Sequence, residues 1–346
     1  MSGLALSSKR GQGRRERLVA LLLVAVGSLG IFVPLAYLVG GSLASKETIK
    51  TQPKSVVPTE ALHVTIEGRD CFVYEVEIAG VQRRMAVVEK KGGTWVYADP
   101  DDPSERYEAD AAGPERRATR IALHPENFAT ALAKSPFGRY VLNTLVVMLF
   151  ATIGTVASSV MVAYGFARFR LKGMPILFMI LLSTIMLPSQ ITLIPTFVVF
   201  KWLGWYDTFL PLIVPAFFAN AWDVFLFRQF FMSIPKELDE AATIDGCGPL
   251  RVLRHVILPQ SLPVIVTVTL STAIYAWNDF FNPLVYLQST DKYTVAVGLQ
   301  NFSALYFNQA HLQAAGALMM LLPPVIVFFF AQRYFIQGTV VSGVKG

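Results

Sequence analysis

Eight polar residues lie inside runs of sequence that are otherwise apolar: Asn143, Thr144, Gln190, Asn220, Asp223, Asn278, Asp279 and Asn282. Amides, hydroxyls and carboxylates of this kind exchange hydrogen bonds with a hydroxyl-bearing solute. In hydrocarbon they are costly and mark pathways or helix contacts. The plainer reading is bonding between helices, about 0.6 kcal/mol per contact. Asn278 and Asn282 stand four apart, on one face of a helix. With Asp279, Asn220 and Gln190 they are the candidate pathway residues. Asp223 falls toward the opposite end of its run from Asp279 and is expected to meet Arg228 instead. Catalytic chemistry finds no such support. The four histidines are scattered, and His63 and His124 are too far apart to suggest a site. No nucleophile–base pair or metal spacing occurs. The phosphate loop G-x-x-x-x-G-K-[ST] is absent, so energised transport would need ATP chemistry on another subunit.

A second constellation is charged and compact. "SIPKELDEAATIDGCGPLRVLRHVILPQSLP" runs from Ser233 to Pro263 between two apolar runs. Pro235 suits a first helical turn, with Ser233 as a possible cap. Glu237, Asp239 and Glu240 place negative charge where a helix dipole favours it. Leu238, Ala241, Ala242 and Asp245 share one face. Gly246 suits a left-handed helix end. Gly248-Pro249 opens a second helix with Leu250, Leu253, Val256 and Ile257 on its apolar face, and Pro259 begins the next apolar run. Small alanines admit a close approach, so this helix–glycine turn–helix reads as a docking element. The rival reading is an amphipathic linker on the lipid surface.

The elements that carry these residues are membrane helices. Of 346 residues, 53% are hydrophobic and 16% charged, with mean hydropathy +0.48; soluble domains carry about 25% charge. Six runs approach the roughly 20 apolar residues needed to cross hydrocarbon: 18–43, 138–166, 174–200, 209–228, 260–287 and 312–332. Prolines interrupt several, which favours a packed bundle. Lys and Arg concentrate in the N-terminal tail, at 168–172, around the Ser233–Pro263 stretch and in the C-terminal tail. All four fall on the cytoplasmic side if both termini are inside. The net charge of +6 therefore argues for topology rather than for nucleic acid. A cleaved signal peptide is the alternative for the first run, which is about twice as long as a signal core.

Residues 44–137 depart from this pattern, with 15 acids against 13 bases. "LHVTIEG" aligns Leu62, Val64 and Ile66. "CFVYEVEIAG" aligns Phe72, Tyr74, Val76 and Ile78. Lys91-Gly92-Gly93 suits a hairpin turn. A small β-meander is expected at 61–98, then a polar linker, "DPDDPSERYEADAAGPERR", and a short amphipathic helix in "HPENFATALAKSPF". Cys71 and Cys247 are expected on opposite sides of the membrane, unpaired.

Glu240-Ala241-Ala242, three residues, Gly246, nine residues, then Val256-Ile257-Leu258-Pro259 resembles the EAA loop of ABC-importer permeases, with Val256 in the usual isoleucine slot. "LGWYDTFLPLIVPAFF", "WNDFFNPLVYL" and "QRYFIQGTVVSGVKG" resemble the maltose-type carbohydrate permeases, second-subunit class. The likeness covers 18–43 and 121–346. It implies that Glu240, Ala241, Ala242, Gly246, Leu258 and Pro259 couple to an ATPase subunit dimer, and that Gln337, Gly338, Gly343 and Lys345 touch the same dimer. ATP would bind the partner, and this chain would hold no cofactor. Further implied partners are a second permease subunit and an extracytoplasmic solute-binding protein. In this family one of the two permeases can carry most of the substrate contacts.

The expected fold is an all-α polytopic membrane protein with six transmembrane helices, both termini cytoplasmic, and a small extracytoplasmic β-rich insert between helices 1 and 2. Residues 1–43 form the tail and first helix, 44–120 the insert and linker, and 121–346 the permease core with coupling loop 229–259. The expected function is a permease subunit of an ABC importer for a carbohydrate or polyol, in the cell inner membrane. A membrane-anchored sensor would need a cytoplasmic signalling domain, for which the inner segments are too short. An ion-coupled transporter would show inverted halves with charges at mid-membrane, and neither is evident.

Overall fold

The computed structural model describes residues 4–51, 55–78, 81–91, 94–110 and 116–340. The chain divides into two units, residues 1–133 with 305–318, and residues 134–304 with 319–346.

The first unit begins with α1 (Leu4–Ser42). Of its apolar part, Arg17–Ser42, no residue up to Val39 is buried, and only Gly40, Gly41 and Ser42 at its end are covered. After α2 (Lys46–Thr51) come β1 (Thr59–Ala61), β2 (His63–Ile66), β3 (Arg69–Ile78), β4 (Val81–Lys91), β5 (Thr94–Ala98), β6 (Arg106–Asp110), β7 (Arg116–Arg117) and β8 (Thr119–Ile121). Strands β2 to β6 form an antiparallel meander, β7 adds to β3, and β1 pairs with β8. The expected linker, 99–117, therefore contains two strands, β6 and β7. Arg106 and Tyr107 continue the pairing of β5, opposite Ala98 and Tyr97, and its many charges decorate an edge rather than mark a coil. Strands β4 and β5 meet at Lys91 and Thr94; Gly92 and Gly93 lie outside the described residues. The core is Ile66, Cys71, Val73, Ala86, Ala98 and Ala118, with Leu62 and Val64 packed against it. So β3 turns Cys71 and Val73 inward. On its other face the Arg117 guanidinium lies 4.2 Å from the Phe72 ring and pairs with Glu47 at 2.5 Å. Helix α3 (Glu126–Lys134) follows. Its buried Asn127 donates to the carbonyls of Ser42 (2.9 Å) and Ala44 (3.0 Å), satisfying groups left open where α1 ends. Both cysteines are free.

The second unit is helical. Helix α4 (Phe137–Arg168) buries Tyr140, Asn143, Thr144, Val147, Ala151, Gly154, Thr155, Ser159 and Ala163, a stripe at helical spacing. Helices α5 (Met174–Ser183) and α6 (Ser189–Trp202) bend at Pro188. Then follow α7 (Leu210–Ile213), a 3-10 turn (Val214–Phe218) and α8 (Ala221–Ser233). After α8 come α9 (Glu237–Ile244), α10 (Pro249–Val252), a π turn (Leu253–Ile257), α11 (Leu258–Gln260), α12 (Leu262–Asn278), α13 (Phe281–Tyr286) and α14 (Val295–Leu305). Helix α15 (Ala310–Val340) begins in the first unit and ends in the second.

Among the described residues four helices are long and apolar enough to cross a membrane: Arg17–Ser42, Phe137–Arg168, Leu210–Ser233 and Ala310–Phe330. Two bent pairs, Met174–Met186 with Ile191–Trp202 (99°) and Pro249–Gln260 with Leu262–Asn278 (81°), bring the number to six if each is one span. Pro259 thus sits before the second bend rather than at the start of a straight span.

Neighbouring side chains satisfy the breaks. Between the 3-10 turn and α8, Ala219 has a left-handed φ of 53°. There Ser158 of α4 donates to Ala216 O (3.1 Å) and accepts from Ala219 N (3.0 Å). In α15, Pro324 lacks the N–H that would bond Met320 O, and the Trp277 indole donates to that carbonyl instead at 3.1 Å. A third knot ties two loops. Asp207 Oδ1 accepts from the amides of Gln288 and Ser289, both at 2.9 Å, and its Oδ2 accepts from Ser289 Oγ (2.5 Å) and Lys292 Nζ (2.9 Å).

Candidate functional site

Two places in the helical unit carry the residues singled out from sequence. The first is the loop between α8 and α12. Ser233 closes α8 and bonds back to Phe230 O, so it caps nothing; Lys236 precedes α9, with no side-chain cap. At the other end, Gly246 takes φ +81°. Its N–H donates to Thr243 O (3.0 Å) and the Cys247 N–H to Ala242 O (2.9 Å). This is a Schellman ending, and it needs a residue without a Cβ penalty at Gly246.

The expected shared face of α9 is split. Ala242 and Cys247 pack on a core of Phe227, Phe231, Val252, Leu253 and Ile257. Leu238, Glu240, Ala241, Ile244 and Asp245 are exposed, Ile244 by 86%. Leu250, expected on the apolar face of the second helix, is also exposed, and Val252 takes its place inward. The π turn rotates the sequence by an extra residue, which shifts the buried face to Val252, Leu253 and Ile257. Leu258 packs against the same core, while Pro259 is exposed.

Helix α4 grips this loop twice. Tyr164 Oη donates to Pro249 O at 3.1 Å. One turn later Arg168 Nη2 donates to Ile234 O at 3.1 Å, and its Nε lies 2.6 Å from Asp239 Oδ2. The Nε contact is ionic and lacks hydrogen-bond alignment, and among the described residues Arg168 Nη1 and Asp239 Oδ1 also find no hydrogen-bond partner. The Arg168 side chain is 6% exposed and that of Asp239 19%. Burial pushes the Asp239 carboxyl above the ordinary carboxylate range, and the Arg168 guanidinium opposes the shift.

The second place is a cavity of about 470 Å³. Helix α4 lines it with Val147, Ala151 and Thr155, α12 with Ser271, Thr272, Tyr275 and Ala276, and Asn220, Asp223 and Asp279 converge on it. Asp223 and Asp279 therefore share one cavity, although they stand near opposite ends of their sequence runs. Asp223 does not meet Arg228. Its backbone N–H donates to Asn220 Oδ1 (2.9 Å), and the Asn220 amide donates to its carboxylate. Arg228 bonds Phe166 O and lies 4.2 Å from the Phe178 ring.

Asn278 and Asn282 do not share a helical face. Helix α12 stops at Asn278, Asp279 is extended, and its carboxylate accepts from the Asn282 N–H (3.2 Å) and amide (2.9 Å) to start α13. A carboxylate that satisfies the next helix's free N–H groups breaks the i, i+4 relation. Asn278 is exposed and donates to Ile274 O. Asn143 donates to Asp291 O (2.9 Å) and Tyr293 O (3.0 Å), and Thr144 accepts from Val295 N, so both fix a loop instead of a solute. The side chains of Gln190 and Gln337, the surroundings of Gly338, and Gly343 and Lys345 altogether, lie outside what is described.

Comparison with known proteins agrees with this architecture. The profile of the family described as binding-protein-dependent transport system inner membrane component matches residues 128–341. A probable ABC transporter permease protein of Bacillus subtilis, YurM, is 34% identical over 224 residues, 64% of this chain and 74% of that one. The arabinooligosaccharides transport system permease protein AraQ of Bacillus subtilis is 32% identical over 212 residues, 61% of this chain and 75% of that one. The fold is shared with a crystal structure of a bacterial ABC transporter involved in the import of the acidic polysaccharide alginate, at TM-score 0.67 and 20% identity, over 94% of this chain and 98% of that one. The chain belongs to the binding-protein-dependent transport system inner membrane component family, as a multi-pass inner-membrane permease subunit of an ABC importer and not an enzyme.

Proposed function

We propose that this chain forms half of the translocation pathway of a carbohydrate importer and is driven by a cytoplasmic ATPase dimer through loop 229–259. Six spans would place both termini and this loop inside, and the β-rich insert 44–120 outside. A second permease would complete the pathway, a solute-binding protein would deliver the solute, and ATP would bind only on the ATPase. The observation that carries the coupling role is the outward face of α9. Glu240, Ala241 and Ile244 are exposed on a helix whose inner face is fixed to the body, so an apolar and acidic ridge stands free for a partner. Gly246 shapes the end of that ridge, and Gln337, Gly338, Gly343 and Lys345 are proposed to reach the same dimer. For the solute, the cavity offers Asn220, Asp223, Asp279 and Tyr275, a set suited to hydroxyl groups. Asn282 would act by holding Asp279. The carbohydrate class is supported by the arabinooligosaccharide permease named above.

The test is co-purification. The tagged chain, expressed with its genomic neighbours, is expected to bring down an ATPase subunit that Glu240→Ala and Gly246→Asp lose or uncouple. If no ATPase accompanies the wild type under any condition, the coupling role is wrong.

A further inference from the structure

We propose that Arg168 is a positioning residue that ties the coupling loop to α4, so that α4 carries the ATPase stroke to the cavity. This rests on the reading of loop 229–259 as the ATPase contact.

The loop's two chain connections are poor transmitters. At Ile234 the backbone leaves α8 in an extended conformation, and at the other end the chain bends by 81° before α12. The side-chain attachments to α4 are firmer. Arg168 reaches a backbone carbonyl before α9 and a carboxylate within it, and Tyr164 holds the start of α10 from the preceding turn. One face of the last two turns of α4 thus grips both arms of the loop. The same helix lines the cavity at Thr155, thirteen residues or about 20 Å away at 1.5 Å per residue. A planar guanidinium can span two acceptors where an ammonium is a point charge. Because the pair is largely out of water, removing the cation strands a buried carboxylate. In sequence Arg168 registers only as one of the basic residues that orient the spans.

The experiment uses the complete importer purified with its ATPase, in a chain with Cys71 and Cys247 replaced by alanine and Thr155→Cys as reporter. The readout is the rate at which a maleimide modifies that cysteine, with and without ATP and vanadate. Arg168→Gln is expected to keep the ATPase bound and hydrolysing, yet to shrink the nucleotide-dependent change in rate about tenfold, within the span of known coupling effects. Arg168→Lys should recover part of it. In the Gln background, Asp239→Asn should add little further loss. An unchanged nucleotide response in Arg168→Gln overturns the proposal. If Arg168→Gln fails to assemble, Arg168→Lys decides: a bound ATPase with a reduced response supports the proposal, and a full response overturns it. Loss of the ATPase from both variants makes Arg168 an assembly residue and overturns it too. A wild type without ATPase refutes the coupling reading of the loop instead.

Discussion

Replacing Asp207 by asparagine isolates the charge of the knot between the 203–209 and 287–294 loops. Asparagine keeps the size and tolerates the left-handed φ of 56° that position 207 adopts. The wild-type carboxylate accepts two backbone amides, one hydroxyl and one ammonium. Charge-assisted bonds are about twice as strong as neutral ones, so each of the two amide bonds weakens by about 1 kcal/mol. The Lys292 pair, 37% and 23% exposed, contributes less than about 1 kcal/mol. Local opening should then become easier by about 2–3 kcal/mol, which is about 30- to 150-fold in an equilibrium constant. Hydrogen exchange at the Gln288 and Ser289 amides reads this directly and should quicken by that factor. The effect also has a pH signature. The bonds to Ser289 and Lys292 hold the Asp207 carboxyl well below the ordinary range, against the opposing effect of burial. A lowered folded-state pKa gives stability that is complete above the unfolded value of about 3.9 and is lost as pH falls below it. Acidifying from pH 5 to pH 3 should therefore loosen the wild-type loop and leave Asp207→Asn nearly unmoved. Equal protection in the two proteins at pH 7 would refute the assignment of the knot to this charge.

Two further perturbations follow from packing and from capping. Gly298→Ala would set a Cβ 2.1 Å from Tyr140 Cδ2, where Tyr140 is itself buried, so it should cost about 1–3 kcal/mol and lower the melting temperature in detergent. Asn127→Ala strands two buried carbonyls at the end of α1 at about 1–3 kcal/mol, and Asn127→Asp should be worse because a carboxylate then faces two carbonyl oxygens; limited proteolysis at 40–46 reports both.

Regular periodicity and the glycine end of α9 were legible in the sequence; the start of α9, expected at Ser233 and Pro235 but found at Glu237, and side-chain partners across elements were not. Composition located the four helices long and apolar enough to cross a membrane but not the shorter apolar helix Val295–Leu305, and Gly246 announced the end of α9 because a left-handed φ is needed there. The face of α9 was misjudged because the helix is two turns long and Asp239, a charged residue, turns inward to an arginine 71 positions away. A polar side chain buried by a distant partner leaves no trace in local periodicity. The same holds for β3, where both faces are apolar and only the three-dimensional pairing decides that Cys71 and Val73 enter the core. Asn278 and Asn282 misled because the i, i+4 rule presumes an unbroken helix, and Asp279 between them ends one helix and starts the next.

The pairing of β1 with β8 carries a consequence for how the β-rich lobe relates to the rest of the chain. Thr59 stands opposite Ile121 and Ala61 opposite Thr119, so the polypeptide enters and leaves the lobe through a two-stranded stem whose facing Cα atoms are about 5 Å apart. Such a stem is a ready seam for recombination. Everything between Ala61 and Thr119 can be excised and the gap bridged by a two-residue turn, without stretching the flanking backbone. A chain shortened in this way is expected to keep β1 paired with β8 and to lose the Arg117 pair with Glu47, and insertion of the membrane helices in its absence measures how far the lobe is separable.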